Sequence, residues 1–223
     1  MEPSPGSGGF HRPARMVPIS SGWADEPGAV AWPRLDPELI SHGRRVAVLV
    51  SQLCVELGVG MASTRAIAEA AATHDVGKHF VPRDILDSPR SLTPMEMACV
   101  QQHTRYGAVL LDNAPANPAD SSNLASIVAL LHHERWDGSG YPYGLLGKEI
   151  PVCARIVALA DVFDALRTRR PYKPAWSHDV TLTYILDQRG RHFDPGCVDA
   201  FLAIESNVAG CWTPADEAFA DTR

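Results

Sequence analysis

The sequence is short of the features that would place the chain in several large classes. It has only five cysteines (Cys54, Cys99, Cys153, Cys197, Cys211), an odd number, widely spaced and with no CxxC pair. That usage suits reduced thiols in the cytosol rather than a disulfide framework. No stretch reaches the roughly eighteen apolar residues in a row that mark a membrane-crossing helix. Nor does the N-terminus carry the apolar block of a signal peptide, so the expected location is cytoplasmic, with no membrane span. A basic excess is missing too: 26 acidic residues stand against 20 basic ones, for a net charge of -6. Proteins that grip a nucleic-acid polymer by their surface are normally basic, so no such partner is expected. An anionic ligand would have to be met locally, by bound metal and a few placed Lys or Arg. Strand-like alternation between hairpin turns is absent, and so is any internal repeat. The fold class expected is all-α.

What is present fits one domain. The chain has 223 residues, 45% of them hydrophobic, enough for a single substantial core. Residues 1–30 are rich in Pro, Gly and Ser without apolar periodicity and read as a disordered tail. The domain then occupies 31–210, with a C-terminal extension over 211–223. Asp36-Pro37 is a capping residue followed by proline at the first helical position. Leu39, Val46, Leu49, Val50, Leu53 and Cys54 continue that helix to about Leu57, where Gly58 and Gly60 end it. Further helices are expected at about 62–74, from the Thr93–Glu96 capping box to Leu111, and at about 121–134, 151–168, 178–188 and 195–206. The architecture expected is thus a bundle of about seven helices.

Seven of the nine histidines lie between residues 42 and 178. His74-Asp75 closes the second helix, and such a pair can bind metal, with the carboxylate bridging two ions. Val76-Gly77-Lys78 reverses the chain and brings an ammonium to the same place. His132-His133-Glu134 follows on the fourth helix. Neighbouring helical positions diverge by about 100°, so the two imidazoles serve adjacent metals, or two sides of one site, or are one core and one solvated histidine. Trp136–Pro142 is a glycine-punctuated loop too dense in special residues for a plain linker. His42 shares a helical face with Glu38. His103 stands alone on the third helix. Asp161 sits among Ile156, Leu159, Val162 and Phe163, where burial is costly unless the charge is paired or metal-bound. The Arg167–Lys173 stretch is basic, and a helix end would favour it even without a ligand.

Taken together, HDVGK (74–78), HHERWDGSGYPYGLLGKEIP (132–151), LADVFDALRTRRPYK (159–173), GRHFDP (190–195) and the opening Glu38, His42 and Arg45 resemble the HD-GYP family of bacterial cyclic di-GMP phosphodiesterases. The likeness runs over about residues 36–206. It implies an HD-type helical domain and a centre of two divalent metals, iron or manganese, ligated by His42, His74, Asp75, His103, His132, His133 and Asp161. Glu38 matches a carboxylate that holds a third metal in some members, although Asp36-Pro37-Glu38 is also what a helix start favours for its own sake. Asp75 and Lys78 are expected to carry the catalysis, and Lys78, Asp164, Arg170 and Lys173 to hold the substrate. The family's name motif is Gly140-Tyr141-Pro142. Lys148 replaces a usual acid, and His79-Phe80 a small or aliphatic pair.

The implied reaction is hydrolysis of cyclic di-GMP to pGpG, and then to GMP if the cleft permits a second cut, in bacterial second-messenger signalling. Two cations about 3.5–4 Å apart neutralise a phosphodiester and lower the pKa of a bridging water toward about 7. Two other readings stand beside it: a weak or non-catalytic module that binds a dinucleotide, or a protein through the Gly140–Pro142 loop, and an HD hydrolase for another cyclic dinucleotide. A homodimer is compatible with each. The family's usual receiver or sensor domain does not fit in the residues before the core, which leaves the regulatory input open.

Overall fold

The Asp36 carboxylate accepts the Glu38 N–H at 2.9 Å, and proline fills the first turn, where no donor is required. Helix α1 (Pro37–Glu56) starts there. Its buried stripe is His42, Gly43, Val46, Leu49, Val50, Leu53 and Cys54, so a histidine extends the same face that forms the core. The computed structural model describes residues 36–113, 122–169 and 174–209. The expected tail (1–30), the C-terminal extension (211–223), Arg170 and Lys173 lie outside the described residues.

The other helices are α2 (Met61–Ala72), α3 (Arg83–Leu86), α4 (Pro94–Gln101), α5 (His103–Asp112), α6 (Ser122–Leu131), α7 (Val152–Arg167), α8 (His178–Asp187) and α9 (Pro195–Ala209). Single 3₁₀ turns cover Val76–Phe80 and Gly147–Glu149. Among the described residues there is no strand, and the all-α expectation holds. No described helix is long and apolar enough to cross a membrane. The 3₁₀ turn at 76–80 and α3 were not anticipated, because elements this short leave no periodicity to read.

One expected helix divides. The segment opened by the Thr93 capping box is two helices, α4 and α5, meeting at Gln102. Side chains take the carbonyls at the joint: His103 Nδ1 lies 2.6 Å from the Val100 oxygen, and the Thr104 hydroxyl donates to Gln101 O at 3.0 Å. Such local bonds compete with the helical ladder.

Helix α7 is the axis of the core. Its apolar residues Ile156, Val157, Leu159, Ala160 and Phe163 are buried against α1, α6, α8 and α9, and Phe193, Val198 and Phe201 complete the cluster. Helices α1 and α2 are antiparallel neighbours, as are α5 and α6. The polar end of the core therefore falls where α1 and α5 begin and where α2 and α6 end.

Two glycines make that convergence feasible. A Cβ on Gly43 would stand 2.3 Å from the Ala72 oxygen, and one on Gly77 only 1.9 Å from the His103 oxygen. The 3₁₀ turn after Asp75 can thus lie directly on the start of α5. Gly77→Ala should force these backbones apart, with an overpacking cost of about 1–3 kcal/mol or more. A melting temperature lower by several degrees, with reduced metal content, is the expected result. Unchanged melting and metal binding would show that the close approach is not needed.

Candidate metal centre

Five elements bring seven of the predicted side chains to one place. His42 comes from α1, His74 and Asp75 from the end of α2, His103 from the first residue of α5, His132 and His133 from just beyond α6, and Asp161 from the middle of α7. They form two sets that share Asp75. His42, His74, Asp75 and Asp161 make one, and Asp75, His103, His132 and His133 the other. Within each set the candidate ligand atoms all lie within 4.8 Å of one another.

The shared carboxylate faces both ways. Asp75 Oδ1 is 3.3 Å from His103 Nε2 and 3.6 Å from His132 Nε2. Asp75 Oδ2 is 3.4 Å from His74 Nε2 and 3.8 Å from His42 Nε2. Asp161 Oδ1 closes the second set at 3.1 Å from His42 and 3.6 Å from His74. Lys78 reaches back one turn to form an ion pair with Asp75 Oδ2, its side chain partly exposed.

Backbone carbonyls orient the rings. His74 Nδ1 lies 2.7 Å from Ala71 O, His103 Nδ1 2.6 Å from Val100 O, and His132 Nδ1 3.0 Å from Ala129 O. Each Nδ1 then donates to its carbonyl and turns Nε2 inward, able to ligate wherever it carries no proton, as second-shell bonds do for ligating histidines. His103 Nε2 and His132 Nε2 face each other at 3.4 Å with the Asp75 carboxylate beside them. His42 Nε2, His74 Nε2 and Asp75 Oδ1 are buried without a hydrogen-bond partner among the described residues. Buried polar atoms are rarely left so. Converging ring nitrogens and a shared anion fit cations, and imidazole with carboxylate is a donor set for first-row divalent metals.

Electrostatics separate the two sets. Burial pushes His132 down to about 4, and His133 well below the usual imidazole value. Both are neutral at neutral pH, as ligands must be. Burial also opposes charge on His74, but Asp75 and Asp161 outweigh it and raise that ring to about 10. Burial opposes charge on Asp75 as well. There Lys78 and His74 prevail and hold the carboxyl well below the ordinary range.

The adjacent histidines fall in one set. Helix α6 ends at Leu131, earlier than expected, so His132 and His133 have left the helix and its 100° spacing no longer separates them. Their ring centroids are 4.1 Å apart. Tyr141 stacks on His133 at 4.8 Å, which ties the Gly140–Pro142 loop to the centre.

Other predicted residues fall elsewhere. Asp164 is buried beneath the centre: its carboxylate meets His42 Nδ1 at 2.7 Å and accepts from Arg45 Nε at 2.6 Å. Burial would raise its pKa, yet the bonds from His42 and Arg45 bring it down to about 2. In that position it orients the His42 ring. Glu38 is exposed and belongs to neither set. Glu134 carries a role that its sequence neighbourhood did not reveal. Fully enclosed, it accepts the N–H groups of Tyr143 at 2.7 Å and Leu145 at 3.0 Å, and so pins the loop.

Asp164→Asn should weaken metal binding by about 10- to 100-fold, the usual cost of losing a second-shell partner. Competition against a chelator reads this directly. Wild-type affinity would mean that His42 is held by packing alone.

The family model for the HD domain matches residues 34–197. Over 165 residues the chain is 48% identical to the cyclic di-GMP phosphodiesterase response regulator RpfG of Xanthomonas campestris, covering 74% of this chain and 41% of that protein. It is 38% identical over 175 residues to 3'3'-cGAMP-specific phosphodiesterase 2 of Vibrio cholerae, covering 75% and 33%. The chain thus spans less than half the length of these relatives. Among solved structures it resembles an HDG"Y"P protein of Bdellovibrio bacteriovorus, with a TM-score of 0.59 at 21% identity, over 75% of this chain and 52% of that one. At that identity the likeness concerns the fold.

Proposed function

The chain belongs to the HD domain family, in its HD-GYP group, and we propose that it is a metal-dependent phosphodiesterase that opens cyclic di-GMP. One observation carries the reading: the Asp75 carboxylate stands between two histidine sets, with one oxygen turned toward each. Two ions held so close would repel each other without a shared anion. Divalent metals held by these residues would supply charge to neutralise the phosphodiester and would lower the pKa of an attacking water. Iron or manganese suits the mixture of imidazole and carboxylate.

The chain's own residues supply the remainder. Lys78, partly exposed beside Asp75, offers an ammonium to the scissile phosphate and to the charge that grows on it during attack. Asp164 and Arg45 keep His42 in its ligating orientation. Glu134 and the stacked Tyr141 hold the Gly140–Pro142 loop against the centre. Arg170 and Lys173 are the cations proposed for the second phosphate. The first product is linear pGpG, and GMP follows where the cleft admits a second cut. A mixed cyclic dinucleotide is the alternative substrate, because relatives of both specificities match the same domain.

Anaerobically purified protein, with metals counted and turnover of cyclic di-GMP and 3'3'-cGAMP followed by chromatography, tests this reading. Two or more equivalents of metal, with preferred cleavage of cyclic di-GMP, is the expected outcome. Metal-loaded protein that binds the dinucleotide but never cleaves it would establish a binding module instead. Glu38, one turn before His42, is the carboxylate proposed for a third ion. Glu38→Gln is expected to lower the count from three to two. A count of two in both proteins returns Glu38 to the role of helix-start acid.

A further inference from the structure

Two pairs of exposed side chains, termed the arc, each include a residue two positions along the chain from a residue of the centre or its loop, and nothing in the reaction as described uses them. Phe80 and Tyr106 meet edge to face at 5.8 Å, and they are 50% and 42% exposed. Next to Tyr106 in the first turn of α5, the Arg105 guanidinium lies 5.2 Å over the ring of Tyr143, itself 56% exposed. Each station is tied to the centre through the chain. Phe80 is two residues from Lys78, Arg105 two from His103, and Tyr143 two from Tyr141, which stacks on His133.

Local packing does not account for these residues. Large aromatic rings half open to water gain little from the core beneath them. Arg105 has no carboxylate partner among the described residues and rests on an aromatic face instead. Phe80 occupies a position where a small or aliphatic residue was expected. The loop station is also held rigidly, because the buried Glu134 carboxylate fixes the Tyr143 N–H at 2.7 Å.

We propose that this arc is the nucleobase subsite of the enzyme, with the bases stacking on Phe80–Tyr106 and on Arg105–Tyr143, and with Arg105 reading guanine. The proposal rests on the phosphodiesterase reading for the identity of its ligand. Metals and Lys78 engage only phosphate, which every dinucleotide shares, so base preference must come from outside the metal centre. Exposed aromatic planes suit any base, and a planar guanidinium adds paired N–H donors that match guanine O6 and N7 but meet the adenine amino group poorly. A cyclic dinucleotide has two bases, and the arc has two stations.

The test uses full-length, metal-loaded protein and cyclic di-GMP and cyclic di-AMP as probes, with dissociation constants from calorimetry and steady-state kinetics in parallel. Tyr143→Ala and Phe80→Ala should each weaken cyclic di-GMP binding roughly 5- to 100-fold, the range for loss of one stacked base, with the effect in KM rather than kcat. Arg105→Lys keeps the charge but not the fork, and it should narrow the preference for cyclic di-GMP over cyclic di-AMP by about tenfold. Wild-type affinity and preference in all three variants would overturn the proposal. Hydrolysis of bis(p-nitrophenyl) phosphate by the wild type separates the two levels. Wild type that cleaves this ester but binds neither dinucleotide overturns the subsite and leaves the phosphodiesterase standing. Wild type that cleaves no ester, yet binds cyclic di-GMP in a way these variants weaken, supports the subsite and overturns the enzyme.

Discussion

Asp75→Asn is expected to bring turnover below about a thousandth of wild type and to lower bound metal. The amide keeps the size of the side chain but removes the one anion that both histidine sets share. Asp75 Oδ1 faces His103 and His132, and Oδ2 faces His74 and His42, so a single substitution withdraws a ligand from both sides. Cations held by the two sets would then lose the only carboxylate placed to offset their mutual repulsion. The loss should exceed the 10- to 100-fold typical of a residue that only orients a ligand. Metal analysis and turnover must fall together. Near-normal hydrolysis by Asp75→Asn would eliminate the two-metal reading, and normal metal content without activity would move Asp75 from ligand to proton carrier.

Lys78→Ala is expected to separate the two measurements. The ammonium lies against Asp75 Oδ2 but belongs to neither ligand set, so metal content should stay close to wild type. The kcat should fall by about 10²–10³-fold, the scale for removing one group that stabilises charge developing in the transition state. Because part of that interaction also exists in the ground state, KM should rise less than kcat falls. Loss of metal in parallel with activity would assign Lys78 to holding the anionic centre together rather than to the substrate.

The second prediction depends on a position that was readable in advance. Lys78 follows Asp75 across a chain reversal, and the reversal needs Gly77. What could not be read is how tightly that turn presses on α5, with space for no Cβ between Gly77 and the His103 carbonyl. Adjacency in sequence suggested that Lys78 was near the metals, while contact between remote backbones decided how His103 arrives there.

Asp164 and Glu134 show the limit from the other side. Each is an acid one turn or one residue from a proposed ligand, and such acids are usually solvated or bind the substrate. Asp164 supports His42 and Arg45 from α1, and Glu134 holds two N–H groups of the loop. Burial of a carboxylate depends on what covers it, and here the covering groups come from up to 122 residues away. No local pattern encodes that separation.

The sequence by itself determined the helical class, the start of α1, the buried apolar stripes and the identity of the seven side chains that meet at the centre. The first three follow from spacing, capping and residue chemistry, which act over a few positions, while the seven side chains were named by the resemblance of five motifs to the HD-GYP family. Only the tertiary structure decided how the seven divide, that Asp75 belongs to both sets, and that His132 and His133 belong to one. The last point turns on where α6 stops. Its final turn ends at Leu131, and the His132 ring bonds back to the carbonyls of Val128 and Ala129, which frees the next residue to turn toward the same partners. Helical periodicity predicted divergence at that pair because it assumes the helix continues, whereas the His132 N–H makes the last i→i−4 bond of α6, to Val128 O at 3.0 Å, before the chain turns.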